Sequence, residues 1–136
     1  MSGGELATEP RRTAQAAWNV NILEEILAED PGAHVAILGD LNSYFDSPPI
    51  NTLLQASLKH TFEAWGDDQV GPYTYIYQGE SQVLDHILVT QSLMDLLLRV
   101  DVLHSNADYP PAEPGDPSPV RKSDHDPVIA TFSLAK

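Results

Sequence analysis

A chain of 136 residues with 42% hydrophobic content is long enough to bury one core and short for two. Seven Lys and Arg against 20 Asp and Glu leave a net charge of −13, which excludes a basic nucleic-acid-binding stripe as the main feature of the chain. Cysteine is absent, so disulfides, thiolate metal sites and cysteine nucleophiles are excluded as well.

Residues 1–10 are expected to form a flexible N-terminus; they lack the basic-then-apolar pattern of a leader, and no apolar run approaches the roughly 18 residues of a membrane span. From Arg11 to Ala28 the positions Ala14, Ala17, Trp18, Ile22, Ile26 and Leu27 recur at spacings of three and four, which predicts a helix with one buried face. Glu29 to Gly32 stop it. His34 to Leu38 is a nearly continuous apolar run, expected to be a strand covered on both faces, and it ends in Gly39-Asp40-Leu41-Asn42. Ser47 followed by Pro48 and Pro49 predicts a second helix start, with Ile50, Leu53, Leu54 and Leu58 on its apolar face.

Tyr73 to Tyr77 and Val83 to Thr90 read as a β-hairpin joined by the five residues Gln78 to Gln82. Ser92 caps a short helix expected to run to Leu98, Val100 to Leu103 resumes strand character, and Pro127 to Phe132 is a closing strand. Between them lies an expected Pro-rich loop, residues 105–123, with five prolines at 110–119. The order is α, β, α, β, β, α, β, loop, β, without an internal repeat.

Three polar segments stand at the ends of apolar strands. In the first, strand alternation places Asp40 and Asn42 on one side, and Gly39 leaves room for close backbone approach; a plain turn is the alternative. In Leu84-Asp85-His86, a carboxylate interrupts an apolar strand and needs a partner unless it lies at a solvated edge, while His86 faces the other way as a structural or surface histidine. In Ser123-Asp124-His125-Asp126-Pro127, His125 is the partner Asp85 could orient, and Asp124 is a hard oxygen ligand suited to Mg²⁺ or Ca²⁺. Read alone, this last segment is a polar loop.

GDLN after an apolar strand, SQVLDHILVT, and SDHDPV near the end, in this order, resemble the C-terminal half of the endonuclease/exonuclease/phosphatase (DNase I-like) superfamily. Arg12 and Gln15, Tyr73-Thr74-Tyr75-Ile76-Tyr77 and His104-Ser105-Asn106-Ala107-Asp108 suggest a nearer likeness to bacterial extracellular nucleases, which would make the protein secreted. The resemblance implies an α/β fold, half of a four-layered sandwich with a mixed, mainly antiparallel sheet and flanking helices. It implies a phosphoesterase dependent on Mg²⁺, Ca²⁺ or Mn²⁺, most simply a nuclease acting on nucleic acid. By position in the motifs, Asp40 and Asn42 match the catalytic aspartate and the asparagine beside the scissile phosphate. Asp85 matches the aspartate that orients the catalytic His125, and Asp124 matches a metal aspartate. Either His125 or Asp40 could be the general base.

The superfamily domain is about twice this length, so residues 1–136 are expected to be a partial domain lacking the family's metal glutamate. Glu24, Glu25 and Glu29 do not replace it, lying on the solvated face of the first helix. The expected partner is the missing N-terminal half or a second copy covering the open sheet face, and the chain alone should hydrolyse phosphodiesters poorly. A phosphatase, a phospholipid phosphodiesterase and a non-catalytic remnant of the fold are the alternatives. From Thr61 to Val120 only Arg99 is basic against ten acidic residues, leaving Lys59, Arg121 and Lys122 as candidate phosphate contacts.

Overall fold

In the computed structural model, which describes residues 5–66 and 71–134, the first helix is longer than its periodic stretch. Helix α1 runs Glu5–Glu29 and contains Pro10. Pro10 lies past the first turn and forfeits one rung of the hydrogen-bond ladder, while side-chain bonds around it, Arg12 to Thr8 and Thr13 Oγ1 to the Glu9 carbonyl, hold that part of the helix. The flexible lead expected over residues 1–10 is therefore helical from Glu5; residues 1–4 lie outside the described residues.

Helix α1 carries two apolar stripes rather than one. Ala16, Val20, Leu23 and Leu27 pack with Leu53, Leu58 and Leu88. Trp18, Ile22 and Ile26, which the sequence pattern placed on the buried face, are 68%, 45% and 39% exposed. Strand β1 (Ala36–Asp40) shows the same one-sidedness: Val35 and Ile37 face that core, but Leu38 is 63% exposed. The strand expected to be covered on both faces is in fact the edge of a three-stranded sheet.

Helix α2 (Pro48–Gln55) starts where its prolines predict, although the Ser47 hydroxyl donates to the Tyr44 carbonyl instead of capping the helix. A short strand β2 (Lys59–His60) and one 3-10 turn (Thr61–Ala64) follow. The hairpin is tighter than its sequence suggests. It joins β3 (Tyr75–Tyr77) to β4 (Glu80–Gln82) through Gln78 and Gly79, whose φ values of +51° and +86° make a two-residue turn that matches strand twist. That releases β5 (Asp85–Val89) to lie between β1 and β2, antiparallel to both. Helix α3 (Gln91–Met94) begins after Thr90 rather than at Ser92, with no side-chain cap, and stops before Leu97, so Leu97 and Leu98 belong to strand β6 (Leu97–Val102), which pairs antiparallel with β7 (Val128–Phe132). No helix or strand occurs at residues 105–123.

Strand β5 is sandwiched. Leu88 faces α1 and α2, while Ile87 and Val89 pack with Leu93 against Val128, Ala130 and Phe132. Helices, one sheet and a second strand pair thus form successive layers of an α/β fold. Replacing the fully buried Leu88 by Ala would cost about 2–5 kcal/mol. Among the described residues no helix is long and apolar enough to cross a membrane.

Candidate active site at the ends of β1 and β5

The register of the central pair creates the site. Asp40 is opposite Asp85 at the end of the β1–β5 ladder, and directly opposed residues of an antiparallel pair share a face. On β5 that face is the one turned toward β7, the strand that His125 precedes. His125 Nδ1 donates to Asp85 Oδ2 at 2.7 Å, both side chains about one-fifth exposed. Ligand atoms of Asp40, Asp85 and His125 all lie within 4.8 Å of one another. With Nδ1 donating, the second ring nitrogen of a neutral His125 holds the lone pair.

Two residues that sequence reasoning passed over make this meeting possible. Thr74 is fully buried; its Oγ1 accepts from the Leu84 and Asp85 N–H groups at 3.1 and 3.2 Å, and its carbonyl accepts the Asp126 N–H at 2.7 Å. One threonine therefore ties the Asp85 strand to the His125 loop. Asp126, 1% exposed, gathers three successive N–H groups on Oδ1, those of Ser105, Asn106 and Ala107, and binds His104 Nδ1 at 2.9 Å through Oδ2. Burial alone would raise its pKa, but the His104 bond and the three N–H groups outweigh that and hold the carboxyl below its ordinary value. Asn106 Nδ2 donates to the His125 carbonyl, the Tyr73 ring stacks on His104 at 4.2 Å, and the Tyr75 ring lies 4.6 Å from that of His125. The signal in the sequence was HSNAD, a run of small polar residues able to wrap a carboxylate.

His104, Asp108 and Asp126 also group closely enough to hold an ion. However, both Asp126 oxygens are already engaged and Tyr73 OH donates to Asp108, so this group braces the loop.

Asp40 and Asn42 meet in another way than strand alternation predicts. The strand ends at Asp40, Asn42 turns left-handed with φ +49°, and its N–H donates to Asp40 Oδ1 at 2.8 Å. Asparagine is among the few non-glycine residues that adopt this conformation readily. Gly39 has a φ of +139°, a backbone conformation that side chains rarely adopt, and the space where a Cβ would stand is open. Asp124 is exposed and belongs to neither carboxylate–histidine group. His86 lies on the opposite face of β5 and is 1% exposed.

Asp40 and Asn42 form one wall of a cleft of about 720 Å³ whose other side includes Arg11, Arg12 and Gln15 of α1, with Arg12 Nε donating to Ser43 Oγ at 3.1 Å. The cations considered for phosphate at the other end of the chain have local uses: Arg121 Nη1 donates to the Asn106 carbonyl and Lys122 Nζ to the Asp116 carbonyl.

A family model described as "Endonuclease/Exonuclease/phosphatase family" matches residues 1–104, a span that includes Asp40, Asn42 and Asp85. No curated protein matches the chain significantly.

Proposed function

The chain belongs to the endonuclease/exonuclease/phosphatase family, whose members hydrolyse phosphoester bonds, typically with a divalent metal, and on that premise we propose that it is the catalytic-histidine part of a nuclease. The observation that carries the reading is the convergence of Asp40, Asp85 and His125 from three distant segments. Asp40 beside Asp85 offers carboxylate oxygens of the kind Mg²⁺, Mn²⁺ and Ca²⁺ accept, with Asp40 as the carboxylate facing the ion, and His125, bonded to Asp85, is left for the proton. Asp124, next to His125 in the motif, is the proposed second metal carboxylate on family resemblance. A bound divalent cation would neutralise charge on the non-bridging phosphate oxygens.

The remaining roles follow from the chain's own groups. Asp85, holding Nδ1–H of His125, fixes the tautomer that leaves Nε2 free to take a proton from the attacking water. This favours His125 over Asp40 as general base, since Asp40 Oδ1 is engaged with the Asn42 N–H. As the water oxygen bonds to phosphorus, the bond to the leaving alcohol breaks and that oxygen takes a proton from solvent. The Asn42 amide, exposed in the cleft, donates to a phosphate oxygen, and Arg11 and Arg12 supply positive charge for a neighbouring phosphate, as nucleic acid provides.

The exposed stripe of Trp18, Ile22 and Ile26 beside Leu38 on an edge strand supports a further layer of the same sandwich as the partner of this chain. Hydrolysis by residues 1–136 alone is accordingly expected to be slow. Magnesium-dependent cleavage of plasmid DNA tests both parts. Activity in a longer chain containing this one, lost in His125→Ala and Asp85→Asn, supports the reading, whereas activity untouched by those substitutions refutes it. Fast, His125-dependent cleavage by residues 1–136 alone would refute the incomplete cleft. The ten acidic residues against Arg99 over Thr61–Val120 favour a second reading, a phosphatase for small substrates; faster turnover of p-nitrophenyl phosphate than of its diester analogue would establish it.

A further inference from the structure

Behind the site, two histidines form a chain of hydrogen bonds whose direction is fixed at both ends. The Phe62 N–H donates to His60 Nδ1 at 3.1 Å, so the His60 proton sits on Nε2 and is given to His86 Nδ1 at 2.9 Å. The His86 proton is then on Nε2 and is given to the Ser43 carbonyl at 2.8 Å. His60, His86 and Ser43 are each at most 1% exposed, and the Phe45 ring closes over the pair, 4.4 Å from His60 and 5.7 Å from His86.

Two imidazoles are a poor choice for filling space. Aliphatic side chains of similar volume would occupy it without desolvating four ring nitrogens. What the histidines add is a donor aimed at one carbonyl. Ser43 is gripped there and at its hydroxyl by Arg12 Nε, and it directly follows Asn42, whose left-handed turn aims an N–H at Asp40.

We propose that His60 and His86 are positioning residues of the active site, a buried relay that holds Ser43, keeps Asn42 in its left-handed turn and so orients the Asp40 carboxylate toward the cation. The proposal rests on the reading of Asp40 as the ion-facing carboxylate, and it adds two residues that touch neither substrate nor metal.

The test compares His86→Leu, which keeps bulk and removes the donor, with His86→Gln, which keeps an amide N–H for Ser43. In ¹⁵N-labelled chain, the Asn42 backbone amide signal reports the turn, and Mn²⁺ broadening of the Asp40 and Asn42 signals reports the ion. The Leu variant should shift the Asn42 signal and weaken Mn²⁺ binding about tenfold, as loss of an outer-shell partner does. The Gln variant should retain both. A packing role predicts the reverse order, leucine being the better core residue; a folded Leu variant with the Asn42 signal in place and unchanged Mn²⁺ affinity overturns the proposal. Should His86→Leu not fold, His60→Leu against His60→Gln poses the same question, since Gln keeps the donor to His86 Nδ1. Absence of Mn²⁺ broadening in the unsubstituted chain would refute the metal reading, and the Asn42 signal would still decide the positioning.

Discussion

Mild acid should weaken this fold through its buried histidines, His60 first. His60 is held neutral: burial first, and the neighbouring His86 second, push its pKa down to about 3 from the 6.5 of an unfolded chain. Because the folded value lies below the unfolded one, the unfolded chain takes up the proton first. The stability that neutral His60 contributes is therefore complete above pH 6.5 and is lost as pH falls from 6.5 toward 3. The slope is about 1.4 kcal/mol per pH unit, so acidifying from pH 7 to pH 5 removes about 2 kcal/mol, a large share of a total that for such domains is about 5–15 kcal/mol. His86, also lowered chiefly by burial, acts in the same direction. Asp126, lowered below the ordinary 3.8, acts only in stronger acid. Urea unfolding at pH 5, 6 and 7, followed by tryptophan fluorescence, checks this against His60→Gln, which donates to His86 but does not titrate. The stability gap between the two proteins should shrink by about 2 kcal/mol between pH 7 and pH 5. A gap that stays constant would refute the argument.

Four further outcomes are expected. Asp126→Ala leaves three N–H groups and His104 without their acceptor, and should cost about 3–5 kcal/mol in urea unfolding. Thr74→Val orphans the Leu84 and Asp85 N–H groups, and should cost about 2 kcal/mol while loosening the Asp85–His125 bond, visible as a changed His125 imidazole signal. Gly79→Val forces a branched side chain to φ +86° in the hairpin turn, and should cost about 1–2 kcal/mol by the same assay. If a further layer covers the Trp18 stripe, the chain alone should self-associate in sedimentation, and Trp18→Arg with Ile22→Glu should return it to monomer at an unchanged urea midpoint.

The candidate site was legible because its parts are short motifs at strand ends, and the expected partnership of Asp85 with His125 holds at 2.7 Å. Less legible was everything set by partners distant in sequence. The pattern on α1 gives two stripes of equal quality, and only the position of the sheet decides that Ala16 and Leu23 go inside and Trp18 outside. Likewise, the apolar run before Asp40 reads the same for a central or an edge strand, since hydrophobicity does not report which faces remain uncovered. The hairpin is shorter than the intervening polar residues suggest because Gln78-Gly79 supplies two positive φ angles and turns the chain in two residues instead of five. The role of Asp126 is hidden in the sequence because it depends on three N–H groups about twenty residues upstream.

Strand β5 has a consequence for how the chain can vary in length. Its residues address two sides in alternation: Asp85 turns to His125, His86 to Ser43, Ile87 to β7 and Leu88 to the helices. Adding or deleting one residue here would exchange the sides, burying a carboxylate among aliphatic groups and aiming an imidazole where Asp85 belongs. Residues 110–119 belong to no helix or strand, and lengthening such an excursion costs only about 0.6 kcal/mol per doubling. A scan of single-residue insertions should therefore return folded protein throughout 110–119 and none from 84–89, although substitutions at Ile87 and Val89 that preserve size are tolerated.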